Sequence, residues 1–187
     1  MGLFDIFKKK NTDVNVQNES AEKTLDHETE LKVAEQALKA VEKKTLTPCV
    51  KLELAGNKPS IFESKVGGIG YVPHDGTIPE DKKGRQLRLL AQIDCSQVVG
   101  IEDFPKSGLL QFWILNDDVY GMSFDDITCQ DTFRIVYHKD IDNTVTEEEV
   151  KAKFKENGLD GEYSMPVNGE FGFKFTSSTD RSEEHTS

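Results

Sequence analysis

Two glutamines interrupt strand-like apolar runs, and they are the first residues to ask about chemistry. Gln92 sits in Leu89-Leu90-Ala91-Gln92-Ile93-Asp94, and Gln111 in Leu109-Leu110-Gln111-Phe112-Trp113. A buried primary amide must find hydrogen-bond partners. If the two strands are neighbours, these amides either line a cleft that reads a ligand's polar edge or tie the sheet to the loop around Lys65–Gly68. Both readings stay open on the sequence. Asp94, two residues after Gln92, and Lys65, Gly67 and Gly68 complete the candidate binding set.

Other polar groupings were weighed for catalysis. His74-Asp75 lies in a glycine-rich loop and His138-Lys139-Asp140 follows a strand-like run, so either pair could supply acid–base chemistry. No serine elbow or HExxH run accompanies them, so catalytic residues stay unknown. Gly68-x-Gly70 opens like a dinucleotide fingerprint, but Pro73 stands where the third glycine belongs. Asp117, Asp118, Asp125 and Asp126 flank Gly121. Counted from Asn116, Ile127 falls where a calcium loop needs a bidentate glutamate, so a solvated turn is expected. Cys49, Cys95 and Cys129 form no CxxC pair. No metal site and no cofactor is expected.

The elements that must hold these residues follow from periodicity. Leu25, Leu31, Ala34, Leu38 and Val41 recur at helical steps within 20–44, with Pro48 beyond as the stop. Val50, Leu52 and Leu54 alternate with Lys51 and Glu53, as in a half-buried strand. Leu87 to Cys95 places Leu87, Leu89, Ala91 and Ile93 on one face, and Leu109 to Leu115 reads as a central strand. Thr132 to His138 and Glu170 to Thr176 alternate as well. Thr146 to Asn157 reads as a short helix, capped by Thr146 and closed by Gly158. These blocks predict an α+β fold: a mainly antiparallel mixed sheet with a long N-terminal helix and a short C-terminal one.

Composition narrows the function. The 187 residues carry 23 Lys and Arg against 34 Asp and Glu, a net charge of −11, which disfavours a nucleic-acid partner. No apolar run approaches the ~20 residues of a membrane span. Leu3, Phe4, Ile6 and Phe7 beside Lys8–Lys10 allow at most a weak surface contact at the N-terminus. The first ten residues reverse the order of a secretory leader, and unpaired cysteines suit a reducing compartment, so a cytoplasmic location is expected.

Four short motifs occur in order. Ser64-Lys65-Val66-Gly67-Gly68-Ile69-Gly70-Tyr71-Val72-Pro73 is followed by Leu89–Asp94. Phe104-Pro105 with Gly108–Trp113 comes next, and then Asp118-Val119-Tyr120-Gly121. Together they resemble the YwqG-like family of bacterial proteins of uncharacterised function. Gly70 stands where that family tends to carry proline, and Trp113 where it carries phenylalanine. The resemblance implies two similar halves, of which this chain holds the first. The domain organisation expected is a flexible tail over 1–20, a YwqG-like domain over 21–176 and a disordered tail over 177–187. Residues 181–187, Arg-Ser-Glu-Glu-His-Thr-Ser, are what a common sequencing adapter encodes in frame, so they are read as an artefact. A sheet cut short would leave its last strand unpaired, and self-association is expected from that edge. The function expected is a binding or interaction module for an unknown protein or small-molecule partner. The alternative is an enzyme completed by residues of the second half.

Overall fold

The computed structural model describes residues 27–124, 126–156 and 165–181. The expected tail over 1–20, the first turns of the long helix, and Gly158 lie outside them. The chain divides into two units after Lys44. In the first, helix α1 (His27–Thr45) starts with Glu28 and Glu30, ends with Lys43 and Lys44, and buries none of its residues. That charge order complements the helix dipole. Lys32 adds an ion pair to Glu28 at 2.6 Å, one turn back.

Among the described residues the second unit forms a six-stranded sheet in which every pairing is antiparallel, with no parallel strand to make it mixed. Its strands are β1 (Leu46–Ala55), β2 (Lys65–Gly67), β3 (Arg88–Asp94), β4 (Leu109–Ile114), β5 (Phe133–His138) and β6 (Glu170–Arg181). Their spatial order is β1-β6-β2-β3-β4-β5. The fold is α+β, and β3 and β4 lie side by side as expected. Pro48 does not merely follow the helix but sits inside β1, opposite Thr179. An edge strand accommodates a residue without an N–H. The last strand runs to Arg181, so 177–181 pair with β1 instead of opening a tail. That strand lies between β1 and β2, which corrects the expectation of an unpaired final edge: the edges are β1 and β5.

One sheet face carries the core. Leu89, Leu109 and Trp113 pack there with Ile61, Tyr71, Val72 and Ile78 from the long β2–β3 connection and its approach, and with Val145 and Val150. Val150 belongs to helix α2 (Glu147–Lys153), whose N-cap Thr146 accepts from the Glu149 N–H at 3.2 Å. The helix stops short of the expected Asn157 because Gln86 intervenes. Its side chain donates to the Lys153 carbonyl at 2.9 Å and accepts from the Lys155 N–H at 2.6 Å.

A second correction concerns β3. Strict alternation would put Leu89, Ala91 and Ile93 on one face, yet the register shifts between Leu89 and Ala91. The extra residue of this bulge reverses the phase. Leu89 and Gln92 therefore share the core face, while Ala91 and Ile93 turn to the other.

Candidate functional site

Register brings three of the expected residues into one row. Lys65 of β2 pairs with Gln92 of β3, and Gln92 with Gln111 of β4. Paired residues in antiparallel strands point to the same face, and all three are within 1% of complete burial. Gly172 of β6 and then Ala55 of β1 continue the row on one side, and Val136 of β5 ends it on the other.

Each polar group in it is used. The Lys65 ammonium donates to the carbonyls of Pro59 at 3.3 Å and Ile69 at 2.9 Å, and to Glu170 Oε1 at 2.6 Å. An ammonium has three protons to give, so this lysine has none left for a ligand. Gln92 Nε2 donates to the carbonyls of Ile61 and Glu63, both at 2.9 Å, and its Oε1 accepts from the Tyr71 N–H at 2.9 Å. Gln111 Nε2 donates to that same Oε1 at 2.8 Å and to the Tyr71 carbonyl at 2.7 Å. Its own Oε1 faces Trp113 Nε1 at 3.0 Å and His138 Nε2 at 3.1 Å. The network assigns that oxygen as acceptor, so His138 donates from Nε2. Both amides reach the four hydrogen bonds that an amide can make.

The loop after β2 is shaped to receive these amides. Gly67 and Gly68 have φ of 69° and 70°, a region in which side chains are strained. A Cβ at Gly67 would run into the Gly169 carbonyl, and one at Gly68 into the Glu170 carboxylate. At Gly70 a Cβ would lie 3.0 Å from Gln92 Oε1 and 3.1 Å from Gln111 Nε2. Gly70, read in the sequence as standing in place of a proline, is packed against the row.

Asp94 does not join. It caps the 3-10 turn Cys95–Gln97, accepting from Ser96 N at 3.0 Å and Ser96 Oγ at 2.7 Å. Next to it Cys95 is fully buried, and burial first, then the Asp94 charge, pushes its thiol up. Of the two histidines, His138 is half-buried against the ring of Tyr71 at 5.1 Å, and burial holds it below the ordinary value of 6.5. His74 is a surface tie, with Nδ1 2.8 Å from Glu149 and Nε2 3.0 Å from Thr144. The Asp117 carboxylate accepts from the Val119 and Gly121 N–H groups, which makes it a turn former.

Several members of the site have no local signature in the sequence. Glu170 meets Lys65 from 105 residues away. Tyr71 contributes backbone groups, which no residue type announces. Gln111 itself interrupts an apolar run, and that signal does find it.

Where the glycine pair ends, the surface opens. A cavity of about 340 Å³ is bordered by Gly67, Gly68, Arg88, Met165, Val167 and Asn168, with Leu89 and Gly169 behind. Arg88 reaches the Lys155 carbonyl at 3.2 Å and lies 5.6 Å over the Phe154 ring. Burial and hydrogen bonding thus separate a saturated polar row from an open, polar-walled cavity beside it.

An α+β protein on one antiparallel sheet, with a lysine and two amides locked across three strands, is the class defined by this architecture. The chain belongs to the DUF1963 family, described as a domain of unknown function, whose model it matches over residues 64–186. That span takes in every strand from β2 to β6. A comparison with curated proteins found no match. No helix among the described residues is long and apolar enough to cross a membrane.

Proposed function

We propose that the chain is a YwqG-like, bacterial, cytoplasmic binding module, and that a small ligand enters the cavity beside Gly67 and Gly68. The observation that carries this reading is the saturation of Lys65, Gln92 and Gln111. Their hydrogen-bonding capacity is spent inside the protein, so they shape the site and the cavity receives the ligand. Its size falls in the usual range of small-molecule pockets, roughly 300–1,000 Å³. Arg88 and Asn168, the two polar side chains that border it, favour a ligand with a carboxylate or carbonyl edge. Lys65 acts at one remove, through Glu170, and Asp94 by setting the end of β3. Three unpaired cysteines support the cytoplasmic assignment.

The test is retention of small molecules from a bacterial metabolite extract, read by native mass spectrometry on the full chain. Met165→Trp and Val167→Trp, which fill the cavity without touching the row, are expected to abolish retention while leaving the unfolding midpoint unchanged. Retention that survives both substitutions, or no retention by the wild type, overturns the proposal. A retained molecule that returns chemically altered favours an enzyme instead.

A further inference from the structure

The face of the sheet opposite the Lys65–Gln92–Gln111 row carries apolar residues on all six strands, with Ser177 and Thr179 of β6 as polar members at one end. Phe171, Val66, Ala91, Phe112 and Ile135 form one continuous row over β6, β2, β3, β4 and β5. Leu52 and Leu54 of β1 stand opposite Phe175 and Phe173 on the same side. The alternating apolar sets of β1, β5 and β6 all turn this way, while Lys51, Glu53 and Lys174 turn to the other face. Among the described side chains the register puts one charged residue in phase with this surface, Arg88 at the end of β3. Its guanidinium turns aside to Lys155 and Phe154. Charged residues make up 30% of the chain, so their exclusion here is a property of the face.

The main hydrophobic cluster lies on the first face, while Val66 and Ile114 on the second are also buried. On the second, Leu54 is 64% exposed, Ile135 52% and Phe171 37%. A sheet with two apolar faces needs a layer on each.

We propose that this face is the interface of a two-fold symmetric dimer, in which a second copy of the chain packs sheet on sheet. Three arguments select a second copy. The first is size. Six strands about 4.8 Å apart, five of them roughly 20 Å long or more and β2 (Lys65–Gly67) shorter, span on the order of 500 Å² before side-chain relief, of the same order as the ~800 Å² per partner of a stable interface. The second is charge. Two chains of −11 repel, so a contact between them needs a face free of acidic residues, and the described strand residues of this face include none. The same net charge opposes an anionic membrane, which needs a basic rim. The third is self-complementarity. A flat row of Phe, Val, Ala and Ile side chains presents no charge to select an unlike partner, whereas a two-fold axis matches it to itself. Aligned packing of two twisted sheets at about 30° interdigitates such faces. None of this depends on the ligand cavity, with which the face shares only Arg88.

Sedimentation equilibrium of the full chain over a wide concentration range tests the proposal. The wild type is expected to be a dimer. Ile135→Lys and Leu54→Lys, both at exposed positions on edge strands, are expected to weaken association at least tenfold with the near-ultraviolet circular dichroism retained. Lys51→Gln, on the other face, is expected to leave it unchanged. Should a lysine variant unfold, Leu54→Ser removes apolar area without adding charge and is expected to weaken association too. A wild-type monomer at every concentration overturns the proposal, and so does a dimer indifferent to these face substitutions.

Discussion

Gln111 donates from Nε2 to Gln92 Oε1 across the β3–β4 pair at 2.8 Å, and the same oxygen takes the Tyr71 N–H at 2.9 Å. One carbonyl oxygen thereby joins two strands and the glycine loop. In a low-dielectric interior such a chain of hydrogen bonds is strong when complete and costly when broken.

Gln111→Leu is therefore expected to destabilise the protein by about 3 kcal/mol or more, since each buried group left without a partner costs ~1–3 kcal/mol. The groups orphaned are the Tyr71 carbonyl, the Trp113 indole N–H and the His138 ring. Urea unfolding with an unchanged m-value measures this. The Gln92→Leu/Gln111→Leu double variant should lose less than the sum of the singles, because the shared bond is counted twice. Strict additivity would show that the two amides act separately.

Lys65→Met is expected to cost about 3–5 kcal/mol, the range for breaking a buried ion pair from one side. The side chain of Lys65 is 1% exposed and that of Glu170 18%, so the carboxylate keeps some access to water and the lower end applies. Glu170→Gln should cost less, because an amide oxygen still accepts from Lys65. Equal losses in thermal unfolding would show that charge, not hydrogen bonding, holds this junction.

Much of this arrangement is legible in the sequence, for reasons that are local. A run apolar on both faces locates β4, the period-two pattern locates β5, the Thr146 cap locates α2, and a glutamine inside Leu-Leu-Gln-Phe-Trp announces a buried amide. What escapes is relational. Nothing near Leu90 marks the bulge that turns Gln92 onto the face of Leu89. Nothing in Gly169-Glu170 says that β6 will insert between β1 and β2 and deliver a carboxylate to Lys65. Alternation in β5 and β6 shows that one side is apolar but not which. Phe133, Ile135 and Tyr137 prove to face away from the core because Val136 is the residue in register with Gln111. The cavity is invisible for the same reason, since Arg88 and Asn168 are far apart in the chain.

Gly70→Ala tests how tightly the loop meets the amides. The added Cβ would lie 3.0 Å from Gln92 Oε1, 3.0 Å from Leu89 Cδ2 and 3.1 Å from Gln111 Nε2. Both amides are pinned by their other bonds, so the loop has to give. A loss of about 1–3 kcal/mol, as for overpacking a core, is expected in urea unfolding. An alanine variant as stable as wild type would show that the loop relaxes freely, and the close fit would then carry no specificity.

Acid should weaken the fold through His138. Burial holds this histidine below its ordinary value of 6.5, and it donates from Nε2 to Gln111 Oε1. Below 6.5 the unfolded chain takes up a proton at this position that the native protein does not. Stability therefore falls as the pH drops through 6.5, and goes on falling until the native imidazole itself is protonated. His138→Phe removes the titration and also leaves Gln111 Oε1 short of one donor. It should be less stable than wild type at neutral pH and lose less on acidification. Urea midpoints for both proteins above and below 6.5 measure the difference. Parallel pH profiles for the two proteins would mean that His138 keeps an ordinary affinity for protons in the fold, and that its ring is hydrated rather than sealed against Tyr71.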